Sequence, residues 1–425
     1  MDTQLPRVLV VSNNPFSDYN CNGKTLASFF NGWDKDCIAN LFFSDMPAAG
    51  DACLNFYKLS DVDMLRKSFG TAVKPQESVV SDSEDITAVS LANRLKNLQV
   101  VRLLRECIWR ENIWRNHLLL RWLDEFSPQI VFFMGGDSIF AYRISHYIAQ
   151  RYNCRYVLYI TDDYFLPRFS LSPFYWLRFG LIRRCFKQAL KRQDLFITIS
   201  EKMQKVYNDI FGFKSIYISN IAEDFSVEDT QYASFKFPVV LVYAGSFSFG
   251  RDKTISLIAK ACSQINNERG EPQLRLEVYS SSEPRYELNY VGTSRFNGFE
   301  TADKIKKILA DADVLVFAES FSCSSINSVR LSLSTKVSEY ASIRKCILNV
   351  GPLKANSVEY LKNVSVNCNS PHLNDIKGVL ESQILDAEIR EKCADAAYNL
   401  YRENHMSQKL RSKFRGLLKN LVQEV

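Results

Sequence analysis

Short apolar runs alternate with helix-like segments through most of this chain, and this alternation constrains the fold more than any other feature. Such an order is typical of parallel sheets whose strands are joined by crossover helices. It occurs in two series, separated by a polar, acidic stretch at 223–229 that lacks periodicity. We therefore predict an α/β protein with two domains, residues 1–225 and 236–425, and a boundary within 221–236. The predicted strands are Val8–Ser12, Ile38–Phe43, Ile130–Met134, Tyr156–Ile160, Leu195–Ile199, Ser215–Ile218, Val239–Ala244, Leu274–Tyr279, Val314–Phe317 and Cys346–Val350.

Composition narrows the class of protein. A chain of 425 residues with 46% hydrophobic content can form two sizeable cores. The formal net charge of +6 is modest and, without a nucleic-acid-binding motif, does not indicate a nucleic-acid partner. Eleven cysteines without a C-x-x-C pair indicate a reducing compartment, and no two of the four histidines are spaced as metal ligands. With no signal-peptide pattern and no apolar run of about 18 residues, we expect a cytoplasmic protein.

A glycine-bearing loop follows the first predicted strand of the second series. The strand ends at Gly245, and Arg251 and Lys253 stand where the next helix begins. Glycine lets a backbone approach a phosphate closely, and an arginine can grip a diphosphate with two parallel hydrogen bonds. The alternative is an ordinary strand–loop–helix turn with solvated cations. Paired with the segment of Lys336 and Glu339 in the same domain, this loop favours a diphosphate site.

A second segment of the same domain places Lys336 and Glu339 on the first turns of a helix that leads into a buried strand. A helix start attracts phosphate, and a carboxylate one turn after a lysine can accept hydroxyl hydrogens from a sugar. Glu319 ends another buried strand, where parallel sheets bind ligands. These three residues could also be a solvated helix face and an ordinary loop carboxylate.

Polar groups also follow strands of the first series. Gly23, Lys24 and Thr25 stand in a loop after the first strand, and Asp18 occupies the position where a P-loop needs glycine. Further along, two strands end in polar residues, which are Gly135, Gly136 and Asp137 after one and Asp162 and Asp163 after the next. These carboxylates are candidates for contact with a substrate or for a catalytic base, and capping of the following segments is the alternative.

At this point the chain resembles a glycosyltransferase of the GT-B fold, in the large family that includes sucrose synthase and bacterial polysaccharide transferases. The likeness covers nearly the whole chain. Four segments carry it, which are residues 22–25, residues 194–203 with Asn220, residues 243–253, and Ser334-Thr335-Lys336-Val337-Ser338-Glu339-Tyr340.

The resemblance implies two Rossmann-like domains facing a cleft, with donor binding in the second and acceptor binding in the first. Arg251 and Lys253 would hold the donor diphosphate, and Glu339 would bind the ribose with Lys336 nearby. The family often has a second Glu eight positions before Glu339, where this chain has Leu331. The role of Glu319 therefore stays open, as does the stereochemical outcome.

Cations and aromatic residues are interleaved from Tyr164 to Gln193, without any acidic residue. Such a stretch is typical of contact with an anionic membrane surface. Residues 100–122 mix arginine with three tryptophans in the same way. Core aromatics beneath a solvated basic face are the alternative. The cations are Arg168, Arg178, Arg183, Arg184, Lys187, Lys191 and Arg192.

The sequence thus predicts an enzyme that moves a sugar from a nucleotide sugar to a hydroxyl of a saccharide or lipid-linked saccharide, in cell-surface polysaccharide or glycolipid synthesis. Catalysis would be by Arg251 and Lys253, with Asp137 as a candidate base, and without metal or other cofactor. We expect a protein peripheral at the inner face of the membrane. A nucleotide-sugar epimerase of the same fold and a catalytically silent binding subunit remain the alternatives.

Overall fold

A computed structural model describes residues 5–17, 21–48, 52–68, 99–225 and 237–423. Residues 71–90 are rich in Ser, Asp, Glu and Thr, which predicts an exposed loop, and they lie outside the described residues. Most of the acidic stretch at 223–229 lies outside them as well. The chain divides into two compact units. The first is Met1–Ile218 together with Arg411–Val425, and the second is Ser219–Leu410.

The first unit is built on a seven-stranded sheet, in the order β3-β2-β1-β4-β5-β6-β7, whose neighbouring strands are all parallel. Its central strands β1 and β4 are buried along their whole length, as expected when helices cover both faces of a parallel sheet. The strands are β1 Val8–Ser12, β2 Ile38–Phe42, β3 Asn55–Lys58, β4 Ile130–Gly135, β5 Arg155–Ile160, β6 Leu195–Thr198 and β7 Ile216–Tyr217.

The helices of the first unit follow the local capping signals of the sequence. Ser200 accepts a hydrogen bond from the backbone N–H of Met203, and Gly212, with φ of 73°, ends the helix in the left-handed conformation. The helices are α1 Cys21–Phe30, α2 Asp61–Ser68, α3 Gln99–Ile108, α4 Glu111–Trp114, α5 His117–Phe126, α6 Ile139–Arg151, α7 Pro173–Leu190 and α8 Glu201–Phe211.

The second unit has a six-stranded parallel sheet in the order β10-β9-β8-β11-β12-β13. Its strands are β8 Val239–Ala244, β9 Leu274–Tyr279, β10 Ser294–Phe296, β11 Val314–Ala318, β12 Cys346–Val350 and β13 Val366–Cys368. Its helices are α9 Arg251–Arg269, α10 Ala302–Asp311, α11 Cys323–Val329, α12 Thr335–Ser342, α13 Asn356–Leu361, α14 Leu373–Val379 and α15 Ala387–Asn404, and α16 Ser407–Gln423 follows.

Two features differ from the sequence prediction. The predicted second domain ran to residue 425, whereas the last part of α16 belongs to the first unit. There Phe414, which the prediction placed in the second domain, is fully buried against Phe29, Phe30 and Phe132 of the first unit. All ten predicted strands are present, and the described part of the chain adds β3, β10 and β13. Each of these three is a short edge strand, which carries little apolar signal.

Within the described part of the chain, no helix is both long enough and apolar enough to cross a bilayer.

Candidate functional site

The order in which the chain adds strands to the second sheet reverses between β8 and β11. From β8 the chain runs outward through β9 and β10 and then returns to form β11 on the other side of β8. In open parallel sheets, ligands bind outside the carboxyl ends of the strands at such a switch point. Gly245 directly follows β8, and Glu319 directly follows β11.

The side chain of Lys336, from the first turn of α12, lies over the backbone of Gly245. A Cβ atom at position 245 would overlap the terminal carbon and ammonium nitrogen of Lys336, so only glycine allows this close approach. The ammonium nitrogen also lies 4.1 Å from the ring centroid of Tyr243, within cation–π range. Burial raises the pKa of Tyr243, so its neutral hydroxyl donates to the carbonyl of Ser246 at 2.7 Å. A lysine charge is thereby held at the end of the central strand.

Arg251 and Glu319 form a buried, two-pronged ion pair at the same edge of the sheet. The Nε and Nη2 atoms of Arg251 donate to the two carboxylate oxygens of Glu319 at 3.0 and 2.8 Å. The Arg251 side chain is 15% exposed and that of Glu319 only 2%. The Thr254 hydroxyl donates to the Glu319 carbonyl at 2.9 Å, which ties α9 to the end of β11. Glu319 therefore orients Arg251.

The sequence interpretation did not include Arg285, which contributes a further cation beside the loop after β8. Its guanidinium donates to both carboxylate oxygens of Asp252, at 2.8 Å each, while remaining 68% exposed. Burial raises the pKa of Asp252, but the hydrogen bonds and charge of Arg285 outweigh it and hold that pKa below its usual value. Arg285 follows β9, so the rule that pointed to Glu319, a polar residue after a parallel strand, could have found it.

Lys253 and Glu339, which were also predicted to bind the donor, lie on α9 and α12, the helices that carry Arg251 and Lys336. Lys253 is exposed on the first turn of α9, the turn that bears Arg251. Glu339 is half-buried on α12, one helical turn after Lys336. The structure thus brings Gly245 together with Lys336, and Arg251 together with Glu319.

In the first unit, the carboxylate of Asp137 is held between two arginines. Arg102 Nη1 contacts it, and Arg178 Nη2 donates to it at 2.9 Å. Burial raises the pKa of Asp137, but the charges of Arg178 and Arg102 outweigh that effect, and the pKa lies below its usual value. A carboxylate that is ionised and doubly paired is a weak proton acceptor, so this geometry favours a positioning role over the predicted base.

The helix that follows Asp137 already has an anion at its N-terminus. The two carboxylate oxygens of Glu106 accept from the backbone N–H groups of Ile139 and Phe140, at 2.9 Å each. The preceding glycines have packing reasons of their own. A Cβ on Gly135 would lie 2.6 Å from Ile160 Cδ1, and one on Gly136 would lie 2.5 Å from Asn13 Nδ2.

Asp163 is an internal structural residue. It is 1% exposed, and its Oδ1 accepts from the backbone N–H groups of Phe165 and Leu166 and from the Tyr207 hydroxyl at 2.9 Å. This is the capping alternative, and such burial does not fit the predicted contact with an acceptor. Asp162 is half-buried beside it.

The predicted first loop lies in the first turns of α1. A Cβ on Gly23 would lie 2.7 Å from both the Pro15 carbonyl oxygen and the Ser17 nitrogen, so the helix start packs closely on the segment after β1. Lys24 is half-buried and Thr25 is buried.

Among the residues that the structure describes, no group of three or more His, Cys, Asp or Glu side chains is arranged to hold a metal ion.

Comparison with known proteins identifies the fold. No protein-family model matches the chain, and no curated protein sequence is similar to it. Solved structures similar to it include HepE from Anabaena in complex with UDP-glucose, with 12% identity, a TM-score of 0.59 and coverage of 97% of this chain and 99% of HepE. The α,α-trehalose 6-phosphate synthase from Burkholderia multivorans has 10% identity and a TM-score of 0.62, with 99% and 100% coverage.

A third similar structure is the UDP-forming α,α-trehalose-phosphate synthase from Burkholderia xenovorans in complex with glucose-6-phosphate. It has 11% identity and a TM-score of 0.60, and the match covers 97% of this chain and all of that one. With its two parallel α/β sheets, the chain has the GT-B fold, as the sequence resemblance implied. At these identities the likeness concerns the fold.

Proposed function

We propose that this protein is a glycosyltransferase that moves a sugar from a nucleotide-diphosphate sugar to a hydroxyl group. The observations that carry the proposal are the positions of two cations at the switch point of the second sheet. Lys336 lies over Gly245 just after β8, and Glu319 holds Arg251 at the end of β11. Two buried or half-buried cations beside a glycine loop fit a diphosphate better than a neutral ligand. Similar folds were solved with UDP-glucose, so a uridine diphosphate sugar is the first donor to test.

In the proposed reaction, the bond from the anomeric carbon to the diphosphate oxygen breaks, and a bond to the acceptor oxygen forms. Negative charge develops on the departing diphosphate oxygen as its bond breaks, and that oxygen takes up the proton that the acceptor hydroxyl loses. Lys336 and Arg251 stabilise that charge as it develops, with Lys253 contributing from the first turn of α9. Glu339 accepts hydrogen bonds from the ribose hydroxyls.

We assign donor binding to the second unit and acceptor binding to the first. The acceptor is a saccharide, free or attached to a lipid, and the product belongs to cell-surface polysaccharide or glycolipid synthesis. Lys24, half-buried in the first turns of α1, and Asp162, half-buried just after β5, are the first-unit residues proposed to contact the acceptor.

We also propose that the transfer needs no metal ion, because protein cations supply the charge that a divalent metal would otherwise place on the diphosphate. Turnover measured after treatment with EDTA should then equal turnover with added Mg²⁺. A loss of at least tenfold on metal removal, restored by Mg²⁺ or Mn²⁺, would contradict this proposal.

The test of the function is a screen of nucleotide sugars with and without saccharide acceptors, read out by mass spectrometry of the products. The proposal predicts a glycosylated acceptor and the free nucleoside diphosphate. Conversion of the sugar without acceptor would identify an epimerase instead. Nucleotide binding without any product under all acceptors would favour the silent binding subunit.

A variant for this screen must lose activity without also losing stability. Arg251→Ala would leave the carboxylate of Glu319 buried and unpaired, which costs several kcal/mol of stability on its own. Lys336→Met is the sharper variant, since Lys336 is half-buried and its alkyl chain is retained. Turnover should fall by about 10²-fold or more, as for loss of one charge-stabilising donor in an active site.

A further inference from the structure

An exposed apolar surface lies on the loop before α7 and on the first turns of that helix. We name it the apolar edge, and it consists of Phe169, Leu171, Phe174, Trp176, Leu177 and Leu181. Phe169 and Leu171 are 87% and 88% exposed, which is unusual for large apolar side chains. Contiguous apolar patches on soluble proteins generally mark a surface that binds a partner or a membrane.

Hydrogen bonds give the apolar edge a defined shape. The Trp176 Nε1–H donates to the carbonyl of Ser170 at 2.9 Å, and the backbone N–H of Arg168 donates to the Tyr175 hydroxyl at 2.8 Å. The Tyr175 ring stacks on Phe179, with ring centroids 5.9 Å apart. The loop is thus folded back on the helix, and its apolar side chains are held outward.

The exposed side of α7 changes character along the helix. Apolar residues occupy its first turns, and exposed Arg184, Lys187 and Lys191 follow toward and just past its end. With a rise of about 1.5 Å per residue, Arg184 lies roughly 10 Å along the axis from Leu177. Interfacial helices bury their apolar side about 5–10 Å deep. The cations therefore stand where the headgroups would be if the apolar edge were inserted.

Other cations of the same stretch have partners inside the protein. Arg178 pairs with Asp137, and the guanidinium of Arg183 lies 5.9 Å from the Phe179 ring and 5.6 Å from the Phe211 ring. Arg168 contacts the carbonyl of Asp163. These arginines belong to the packing of the first unit, so the membrane role predicted from the sequence is narrowed to the cations near the end of α7.

The tryptophans of the second predicted basic stretch, residues 100–122, pack inside the first unit. Trp109 and Trp114 are buried, and Trp109 stacks on Phe140 at 3.8 Å between centroids. The Trp122 Nε1–H donates to the side chain of Asn55 at 2.6 Å. Residues 100–122 therefore offer no comparable surface.

We propose that the apolar edge docks on a lipid bilayer that contains anionic lipids, inserting Phe169, Leu171 and Trp176 at the interface while Lys187 and Lys191 contact the headgroups. Two arguments favour a membrane over a second copy of the chain. Residues 164–193 contain no acid, so two copies meeting at this surface would bring cations against cations. A tryptophan whose ring is apolar and whose N–H is polar is typical of membrane interfaces. The inference rests on this surface alone, and a lipid-linked acceptor would connect it to the proposed function.

Vesicle co-sedimentation tests the proposal. The wild-type protein should bind phosphatidylcholine vesicles that contain phosphatidylglycerol, and Phe169→Ser with Leu171→Ser should reduce the bound fraction at least tenfold. The control, Leu54→Ser with Val291→Ser, changes exposed apolar residues elsewhere and should bind like wild type. Equal binding by the edge variant and wild type would overturn the proposal.

Charge-reversal variants isolate the electrostatic contribution to vesicle binding. Lys187→Glu with Lys191→Glu should lose binding to the anionic vesicles, whereas Lys260→Glu with Lys307→Glu, an equal change at exposed lysines of the second unit, should lose much less. Equal losses in both pairs would mean that net charge, rather than this surface, drives binding.

Two readouts keep the test independent of folding and of sugar transfer. Trp176 is 46% exposed, while Trp33, Trp109 and Trp114 are buried, so vesicles should shift the fluorescence to shorter wavelength in wild type but not in Trp176→Phe. UDP-glucose binding by the edge variant should equal that of wild type, whether or not the protein transfers sugar. Membrane docking would be contradicted if the wild-type protein did not bind vesicles. It would also be contradicted if the protein formed a dimer that Phe169→Ser with Leu171→Ser dissociates.

Discussion

Lys336 and Gly245 form the most specific pairing in the candidate site, because the position of one depends on the absence of a side chain on the other. The lysine charge rests over the end of β8 and the ring of Tyr243, rather than extending into solvent. A cation held in this way needs little reorganisation when an anion arrives, which is the condition for effective electrostatic stabilisation.

Gly245→Ala should therefore weaken donor binding without unfolding the protein. The added methyl group would be strained at a φ of 155°, and it would displace the flexible end of Lys336, which supplies its three nearest atoms. A charge-assisted contact contributes about 1.5–3 kcal/mol, so affinity for UDP-glucose should fall by roughly tenfold or more. Calorimetric titration measures the affinity, and thermal unfolding checks the fold.

Gly270→Ala, just past the end of α9, is the matched control, since Gly270 also has a positive φ, of 72°, and a Cβ there meets no atom within 4 Å. It should leave affinity unchanged. Equal affinity of Gly245→Ala and wild type would show that Lys336 does not serve the donor site.

Some residues of the candidate site could be predicted from the sequence, and others could not. Gly245, Arg251 and Lys336 were identifiable because their residue types and their place after a strand or at a helix start already limit their chemistry. The pairing of Glu319 with Arg251, and the burial of Asp163, depend on packing between segments distant in the chain. One sequence does not encode such contacts in any local pattern.

At the scale of elements, the end of α15 is fastened to the segment that starts the second unit. His405, fully buried, shares a 2.9 Å hydrogen bond with the carbonyl of Asn220 through Nδ1, and its Nε2 lies 3.1 Å from the Tyr360 hydroxyl. Burial lowers the pKa of His405 from 6.5 to about 4, despite the hydrogen bond to Asn220 that raises it. The imidazole is neutral in the native protein at pH 7.

This histidine predicts a loss of stability in acid. Between pH 6.5 and about 4, the unfolded chain takes up a proton at His405 that the native state does not. The free energy of unfolding should therefore decline as the pH falls through that window, by roughly 3 kcal/mol from this group. Urea unfolding at a series of pH values measures the decline.

His405→Gln should be less stable at pH 7 but should show a shallower decline between pH 6.5 and 4. His372→Gln, at a surface position, is the control and should retain the wild-type pH dependence. An unchanged slope in His405→Gln would mean that other groups account for the acid sensitivity.

Elements with strong local signals were predictable from the sequence. The limits of α8 follow from Ser200 and Gly212, and the long apolar strands stand out by composition alone. The edge strands β3, β10 and β13 could not be found in this way, because their few residues mix polar with apolar side chains, whereas the equally short β6 and β7 lie in apolar runs. They are strands because a neighbouring strand offers hydrogen bonds.

At the scale of the whole molecule, the chain returns to the first unit at its end. Phe414 on α16 is fully buried and contacts the rings of Phe29, Phe30, Trp33 and Phe132. Arg411 Nε, at the start of this segment, donates to the Ser28 carbonyl at 2.8 Å. Residues almost 400 positions beyond β1 in the sequence thus pack into the core of the first unit.

Phe414→Ala should destabilise the first unit by about 3–5 kcal/mol, the usual cost of removing a buried aromatic ring. Hydrogen exchange followed by mass spectrometry should show faster exchange in β1 and β4 than in the strands of the second unit. Gln423→Ala, at an exposed position of the same helix, should change stability by less than about 0.5 kcal/mol. Uniform protection of both sheets in Phe414→Ala would contradict this assignment.

The central claim is that the second unit binds a nucleotide-diphosphate sugar at the carboxyl ends of β8 and β11. The most direct test is calorimetric titration of UDP-glucose into wild type, Lys336→Met and the control Lys260→Met, which changes an exposed lysine on α9. We expect saturable binding by wild type and the control, and at least tenfold weaker binding by Lys336→Met. Equal affinity in all three proteins, or no binding of any nucleotide sugar by wild type, would contradict it.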